Sequence, residues 1–189
     1  MQERALLPLI HGQIAPNIET ETELEFPAVF EAYYKRIYNY IAYRVDCRYT
    51  AEDLASQVFE KTLSKLSGYS PEKAPLEVWL FAIARNVVND YYRSRARQRF
   101  FSLDSIRELI SGRKEPEAQM LDKERSGRLQ QALDTLSAKE RNLIALKFGA
   151  DLKNTEIARI TGMSESNVGV ILYRSMRKLK SEIGSVEEL

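Results

Sequence analysis

The residues with the most recognisable chemistry lie in the last third of the chain. Ser166, Asn167 and Val170 are short, Tyr173 is amphipathic, and Arg174, Arg177, Lys178 and Lys180 are cationic. Short hydroxyl, amide and apolar side chains suit base edges, and a following run of cations suits phosphates. The chemistry on offer is recognition of duplex DNA, without bond making. The elements that must position these residues stand just upstream. Asn154-Thr155-Glu156-Ile157-Ala158-Arg159-Ile160-Thr161 predicts a short helix, Gly162 suits the left-handed residue that closes it, and Ser164 caps the next helix. Ala158 is small enough for two helices to cross closely. A helix-turn-helix of this kind places its second helix in a major groove.

The second helix separates into two faces. Val168, Ile171, Leu172, Ser175 and Leu179 follow a helical period and point inward, leaving Ser166, Asn167, Gly169, Val170, Tyr173, Arg174 and Arg177 outward. The competing reading is a plain helical hairpin whose basic last turn offsets the helix dipole. The agreement of turn and cap signals favours the helix-turn-helix.

A second chemical stretch runs from Trp79 to Arg93. It combines an apolar stripe with Arg85, Asn86, Asn89, Asp90 and Arg93 on its other faces. Arginines hold a nucleic-acid backbone, and aromatic planes stack on unpaired bases at roughly 1 to 3 kcal/mol each. That mixture suits DNA being opened. Alternatively, the aromatics are core and the arginines a solvated face.

The chain has 189 residues, 44% hydrophobic and 29% charged, enough for two small helical units. Net charge is only +1, but it is unevenly spread. Arg85, Arg93, Arg95, Arg97 and Arg99 are opposed locally only by Asp90, while Glu19, Glu21, Glu23 and Glu25 concentrate acid near the start. Separate patches allow one face to hold DNA and another to hold protein. Cys47 and His11 stand alone in their types, too few for a disulfide or a zinc cage, so no metal or other cofactor is expected, and a reducing cytoplasm is the expected setting. No run approaches the ~20 apolar residues of a membrane span. There is no phosphate-cradling glycine loop and no nucleophile elbow, so no catalytic residue is assigned.

Along the chain, residues 1–23 read as a poorly ordered lead with a brief apolar patch at Leu6, Leu7, Leu9 and Ile10. Structure is expected from Phe26, with Phe30, Tyr34, Ile37, Tyr38, Ile41 and Val45 marking a long amphipathic helix. Thr50-Ala51-Glu52-Asp53 predicts the capped start of the next, whose buried side is Leu54, Val58, Leu63 and Leu66. Turn formers from Gly68 to Pro75 precede a helix over about 75–98 with the stripe Trp79, Leu80, Ile83, Ala84, Val87 and Tyr91. Residues 100–124 read as a flexible linker, with Gly112 and Pro116 among charges. A second unit, 125–182, begins with Leu129, Ala132, Leu133 and Leu136. The capping box Ser137-Ala138-Lys139-Glu140 follows, then Leu143, Ile144 and Phe148. Residues 183–189 are a tail. The expected class is all-α, two small helical domains on a flexible tether.

Two stretches together resemble one family. Ala51-Glu52-Asp53-Leu54 with Val58-Phe59, then Trp79 to Asn86 with Asp90 to Arg93, is similar to region 2 of the extracytoplasmic-function class of bacterial RNA polymerase sigma factors. Glu156-Ile157-Ala158, Gly162, Ser164, Val168 and the Arg174 to Leu179 segment resemble region 4. The resemblance implies domains at 24–99 and 125–182. It implies docking of Asp53, Ser56, Gln57 and Glu60 on the beta-prime clamp helices of core RNA polymerase, with a beta-flap contact elsewhere. Capture of the opened minus-10 strand would fall to the Gly68–Ala74 loop, including Tyr69, Ser70 and Lys73, with Trp79, Arg85, Asn86, Asn89, Asp90 and Arg93. Reading of the minus-35 element would fall to Ser164, Ser166, Asn167, Gly169, Val170, Tyr173, Arg174, Arg177 and Lys178. An anti-sigma factor is a further partner such a family allows. Four positions depart from the pattern. Ser56 and Gln57 replace the usual glutamine and glutamate, Gly169 replaces a lysine, and Lys153 replaces the capping serine, leaving Asn154 to cap. The rival readings are a helix-turn-helix regulator acting on duplex DNA without polymerase, and a small hydrolase or transferase.

Overall fold

A computed structural model describes residues 24–102 and 129–184, and every regular element among them is helical. The first, α1 (Phe26–Ala42), carries a proline in its first turn, where a missing N–H costs nothing. Its buried residues are Val29, Ile37, Tyr40 and Ile41, while Phe30 and Tyr34 are exposed. The stripe expected from Phe30 and Tyr34 is therefore displaced. The cause is that α1 is covered on two flanks, by α2 and α3 on one and by the second helical unit on the other. Phe30 and Tyr34 lean instead on Phe59 at ring separations of 4.8 and 6.0 Å.

Helix α2 (Arg48–Lys65) starts at Cys47, an exposed N-cap without a side-chain cap, so Thr50 lies inside the helix rather than capping it. Arg48 pairs with Glu52 one turn on, at 2.9 Å. Leu54, Ala55, Val58, Phe59 and Thr62 are buried and Leu63 is exposed, contrary to expectation. Thr62 lies two full i+4 steps from Leu54, whereas Leu63 lies about 100° round the helix from Thr62. The buried hydroxyl is satisfied by donating to the Val58 carbonyl at 2.8 Å. After a short 3₁₀ turn (Leu66–Gly68), α3 spans Leu76–Ser102, four residues beyond the expected end. Phe81 and Val88 are buried alongside the expected stripe, because α3 packs on α1, α2 and the second unit.

The second unit opens with helical residues 129–134, here α4, and α5 (Ala138–Ile144). The predicted capping box is present, with the Ser137 N–H donating to Glu140 Oε2 at 2.9 Å and the Glu140 N–H to Ser137 Oγ at 3.3 Å. Beyond Ile144 the helix widens into a π-turn (Ala145–Gly149), where the Ala150 N–H reaches back to the Ala145 carbonyl at 3.0 Å. The extra residue rotates Phe148 outward and buries Ala145, Leu146, Gly149 and Ala150, so Phe148 is not the core residue its spacing suggested. Leu129 is likewise exposed. Asp151 then takes a left-handed φ of 55°.

Helix α6 (Asn154–Thr161) is capped at Lys153, one residue earlier than expected. Glu156 supplies the cap by accepting from the Lys153 N–H at 2.7 Å, leaving the Asn154 Oδ1 buried without a partner among the described residues. Gly162 closes α6 at φ 73°, its N–H donating to the Ala158 carbonyl at 2.9 Å. Helix α7 (Glu165–Gly184) follows, with Ser164 Oγ accepting from the Asn167 N–H at 3.3 Å.

The two units share one continuous core that runs from Ile37 and Phe81 to Leu143 and Leu172. The expected linker beyond residue 102, the lead segment 1–23 and the tail beyond 184 lie outside the described residues.

A Cβ on Gly162 would meet nothing within 4 Å, so only its backbone conformation demands glycine. Gly162→Ala is expected to destabilise the fold by about 1 kcal/mol, read as a lower urea midpoint, while Gly162→Asn loses less.

Candidate nucleic-acid interface

The turn at Gly162 aims the start of α7 outward, and burial along α7 follows the sequence periodicity. Val168, Leu172, Ser175 and Leu179 are buried, whereas Ser164, Ser166, Asn167, Val170, Tyr173, Arg174 and Arg177 are exposed. Ser175 keeps its buried hydroxyl by donating to the Ile171 carbonyl at 2.8 Å. Gly169 is half-buried, and a Cβ there would meet only the Asn154 amide nitrogen at 3.8 Å. Nothing inside the chain therefore requires glycine at that position. Lys178 differs from its neighbours, because its ammonium is bound to Glu140 Oε1 at 2.6 Å. Arg174 and Arg177 make no ion pair among the described residues.

On the first unit, Trp79, Ile83, Asn86, Asp90 and Arg93 fall on one stripe of α3 at i+3 and i+4 steps. Asn86, Asn89, Asp90 and Arg93 border a groove of about 260 Å³ closed on its other side by Lys61 and Lys65 of α2. Three cations and two amides around an open groove suit a phosphate backbone with exposed base edges. Asp90 tempers Arg93 at 3.3 Å, but both are largely exposed. The turn ahead of α3 is ordered by the Tyr69 hydroxyl, which donates to the Ala74 carbonyl at 3.1 Å, and by the Lys73 N–H on the Ser70 carbonyl at 3.1 Å. The Tyr69 ring lies 5.1 Å from Trp79 at 45°. Trp79 is half-buried against the core and so serves packing and presentation together.

Lys61 and Lys65 were missed in the sequence. Their signal is an i, i+4 lysine pair flanking the Val58 and Thr62 stripe on the side toward α3. Arg85 parts from the group, because its guanidinium turns to the second unit and donates to the Ile160 carbonyl at 3.4 Å. Asn89 borders both sides.

A third face lies on α2. Asp53, Ser56, Gln57 and Glu60 form one stripe along the helix, with Asp53, Ser56 and Glu60 exposed. Gln57 donates to Asp53 Oδ2 at 2.9 Å and Ser56 to the Glu52 carbonyl at 3.1 Å. This polar, acid-containing face runs along α2 into Lys61 and Lys65, one and two i+4 steps beyond Gln57, and its acidic end suits a protein surface of opposite charge.

Among the described residues no group of three or more His, Cys, Asp or Glu side chains could hold a metal ion, and no helix is long and apolar enough to cross a membrane. Residues 29–98 match the Sigma-70 region 2 family, and residues 126–179 match Sigma-70, region 4. The chain belongs to the sigma-70 family, in its extracytoplasmic-function class. It is 28% identical over 154 residues to the ECF RNA polymerase sigma factor BldN of Streptomyces coelicolor, covering 82% of this chain and 58% of that protein. It is also 28% identical to the RNA polymerase sigma factor YlaC of Bacillus subtilis, covering 85% of this chain and 92% of that one. The match thus spans less than two thirds of BldN and nearly all of YlaC. The fold is similar to that of the sigma factor RpoE, solved in complex with the anti-sigma factor NepR from Bartonella quintana. The TM-score is 0.67 and the identity 21%, over 84% of this chain and 96% of that one. Sigma factors are not enzymes.

In this sigma-70 chain one charge pair ties the reading helix to its own scaffold. The Lys178 ammonium, then the Ser137 hydroxyl and N–H, hold the Glu140 carboxyl at about 2, below the ordinary 4.5. A depressed carboxylate contributes stability above the unfolded value and loses it as pH falls through the folded one. The stability gap between the natural chain and Glu140→Gln should be full near about pH 6 and shrink progressively from about pH 4.5 toward about pH 2. Urea midpoints measured across that range check it.

Proposed function

We propose that this chain is a promoter-recognition subunit of bacterial RNA polymerase, with no chemistry of its own. Residues 24–99 are assigned as region 2, 125–182 as region 4, and 100–124 as the tether. Asp53, Ser56, Gln57 and Glu60 dock on the polymerase clamp helices. Tyr69, Ser70, Lys73 and Trp79, with Asn86, Asn89, Asp90 and Arg93, take the opened minus-10 strand, joined by Lys61 and Lys65. Ser164, Ser166, Asn167, Gly169, Val170 and Tyr173 read the minus-35 duplex, and Arg174 and Arg177 grip its phosphates. The cytoplasm is the setting this work requires, and an anti-sigma factor is its partner in regulation, as the similar fold of RpoE was solved in complex with the anti-sigma factor NepR.

The observation that carries this reading is the strand-sized cationic groove of α2 and α3 occurring in the same chain as a helix-turn-helix. A duplex-binding regulator has use for the second and none for the first. The groove sits beside an aromatic pair, Tyr69 and Trp79, at the only turn that leads into α3. Such a pair rewards unstacked bases, which a closed duplex does not offer.

Core polymerase supplemented with the full chain and a random promoter pool should initiate at a defined subset of sequences. Initiation no better than core alone overturns the proposal. Tight binding of the isolated chain to a palindromic duplex, without co-purification with core, establishes the regulator instead.

The division of labour within α7 is separately measurable. Arg174→Ala should weaken binding to every minus-35 sequence and lower the salt dependence by about one ion. Asn167→Ala should shift sequence preference by about 1 to 3 kcal/mol at one position and change overall affinity less. Competition binding against single-base variants at two salt concentrations tests both.

A further inference from the structure

Three neighbouring residues of the second unit are each unfavourable for the helix in which they stand. Gly169 lies inside α7, where glycine is the worst helix former after proline, yet it makes no turn and has no left-handed φ. A Cβ there would have ordinary room, with Asn154 Nδ2 at 3.8 Å as its nearest atom. Asn154, the first residue of α6, does not cap that helix, and its Oδ1 is buried without a partner among the described residues. An unpaired buried acceptor costs stability, so the fold alone gives no reason for an amide here. Lys153 occupies the N-cap of α6, a position that favours Ser, Thr, Asp or Asn, and brings a positive charge to the positive end of the helix dipole. Its side chain is exposed, and its ammonium makes no ion pair among the described residues.

The three meet at one edge of the reading surface. Gly169 follows Ser166 by three residues and precedes Tyr173 by four, so it borders both on the surface of α7, and both are exposed. On that edge the reading face of α7 gives way to the start of α6. With no side chain at 169, the Asn154 amide nitrogen lines the edge. Lys153 is the next residue, about 3.8 Å away between Cα atoms, and its ammonium stands on a long flexible stem. A larger side chain at 169 would cover the amide.

The gap presents donors and no free acceptor. Because Oδ1 is turned inward, the Asn154 amide offers only its N–H groups outward, and Lys153 adds an ammonium. The acid of the same turn, Glu156, is half-buried and accepts from the Lys153 N–H at 2.7 Å. Bidentate reading of adenine needs the amide oxygen as well as the nitrogen, which this orientation withholds. A phosphate oxygen needs donors alone. The position agrees with the chemistry, since phosphates flank the groove whose base edges meet the centre of the reading face.

We propose that Lys153 and Asn154 hold one phosphate of the minus-35 element through the gap left by Gly169. The assignment rests on the promoter-reading function above and adds the start of α6 to the surface that grips DNA. It accounts for all three unfavourable residues together. The glycine lets the strand approach, the amide meets it with donors outward, and the lysine finds the negative charge that its own helix end lacks.

The test uses core polymerase carrying the full-length chain, bound to one promoter selected from a random pool and remade with a methylphosphonate at each minus-35 phosphate in turn. The natural chain should lose affinity at one position beside the bases that Ser166 and Tyr173 approach. Lys153→Ala should no longer respond at that position and should lose about 0.9 from the log–log salt slope, so that its deficit against the natural chain shrinks about threefold between ~50 and ~200 mM salt. Asn154→Ala should respond less at the same position with the slope unchanged. Adding Gly169→Lys to Lys153→Ala puts a cation back into the gap and should restore the slope. The urea midpoint of that double variant should be no lower than the natural one, because α7 loses a glycine where a Cβ has room. A Lys153→Ala chain that keeps the natural slope, or that weakens yet still responds at the same position, overturns the assignment, as does a folded double variant that restores nothing. A natural chain that directs core to no promoter in the pool overturns the promoter reading, and the phosphate assignment with it.

Discussion

Burial of the Tyr40 ring with its hydroxyl attached governs the arrangement of everything around it. A phenol taken fully out of water needs a partner, and the one it finds is Asn142, over a hundred residues away in sequence. That bond requires α5 to sit over α1, and α5 in turn carries the π-turn, whose glycine lets the backbones meet at 3.0 Å. On its other flank α1 supplies Ile37 and Ile41 to the core shared with α2 and α3, and the edge of the Tyr40 ring meets Phe81 at 6.1 Å. One helix therefore sets the position of both DNA-reading elements. A shift of α1 is felt at the groove of α3 and at the turn before α7 alike.

Local chemistry was readable in the sequence where a single helix decides its own faces. Every residue of α7 assigned inward from its period is buried or half-buried, and Gly162, Ser164 and the Ser137 box occupy the roles their types suggested. Each of these depends on contacts within about four residues. The misreadings arise where two elements share a face. Phe30, Tyr34 and Leu63 carry apolar side chains at plausible spacings, but the second unit takes the flank that Tyr40 lines, and Thr62 fits closer to the stripe than Leu63. Phe148 is displaced by a π-turn, which one residue of extra winding creates and no periodicity of 3.6 foresees. The helix start at Arg48 in place of Thr50 follows from its pair with Glu52 and needs no side-chain cap.

Charge is sorted between internal and external work. Arg141 is mostly buried and spends itself on Asp46 and Asp134, Arg36 on Glu77, and Lys178 on Glu140. These ions set geometry and contribute little to attraction for a polyanion. Lys61, Lys65 and Arg93 around the groove, with Arg174 and Arg177 on α7, remain turned to solvent. A net charge of +1 is the sum of both classes and conceals the second.

That sorting has a consequence for affinity. Cations spent on internal pairs neutralise no phosphates, so each unit alone holds DNA more weakly at physiological salt than its Lys and Arg content suggests. Two weak sites on one tether raise each other's effective concentration, and only a correctly spaced pair of elements uses both. Strong free binding would favour nonspecific DNA, where one unit suffices. A chain that divides its DNA contacts between two weak sites gains discrimination from the same feature that limits the affinity of each.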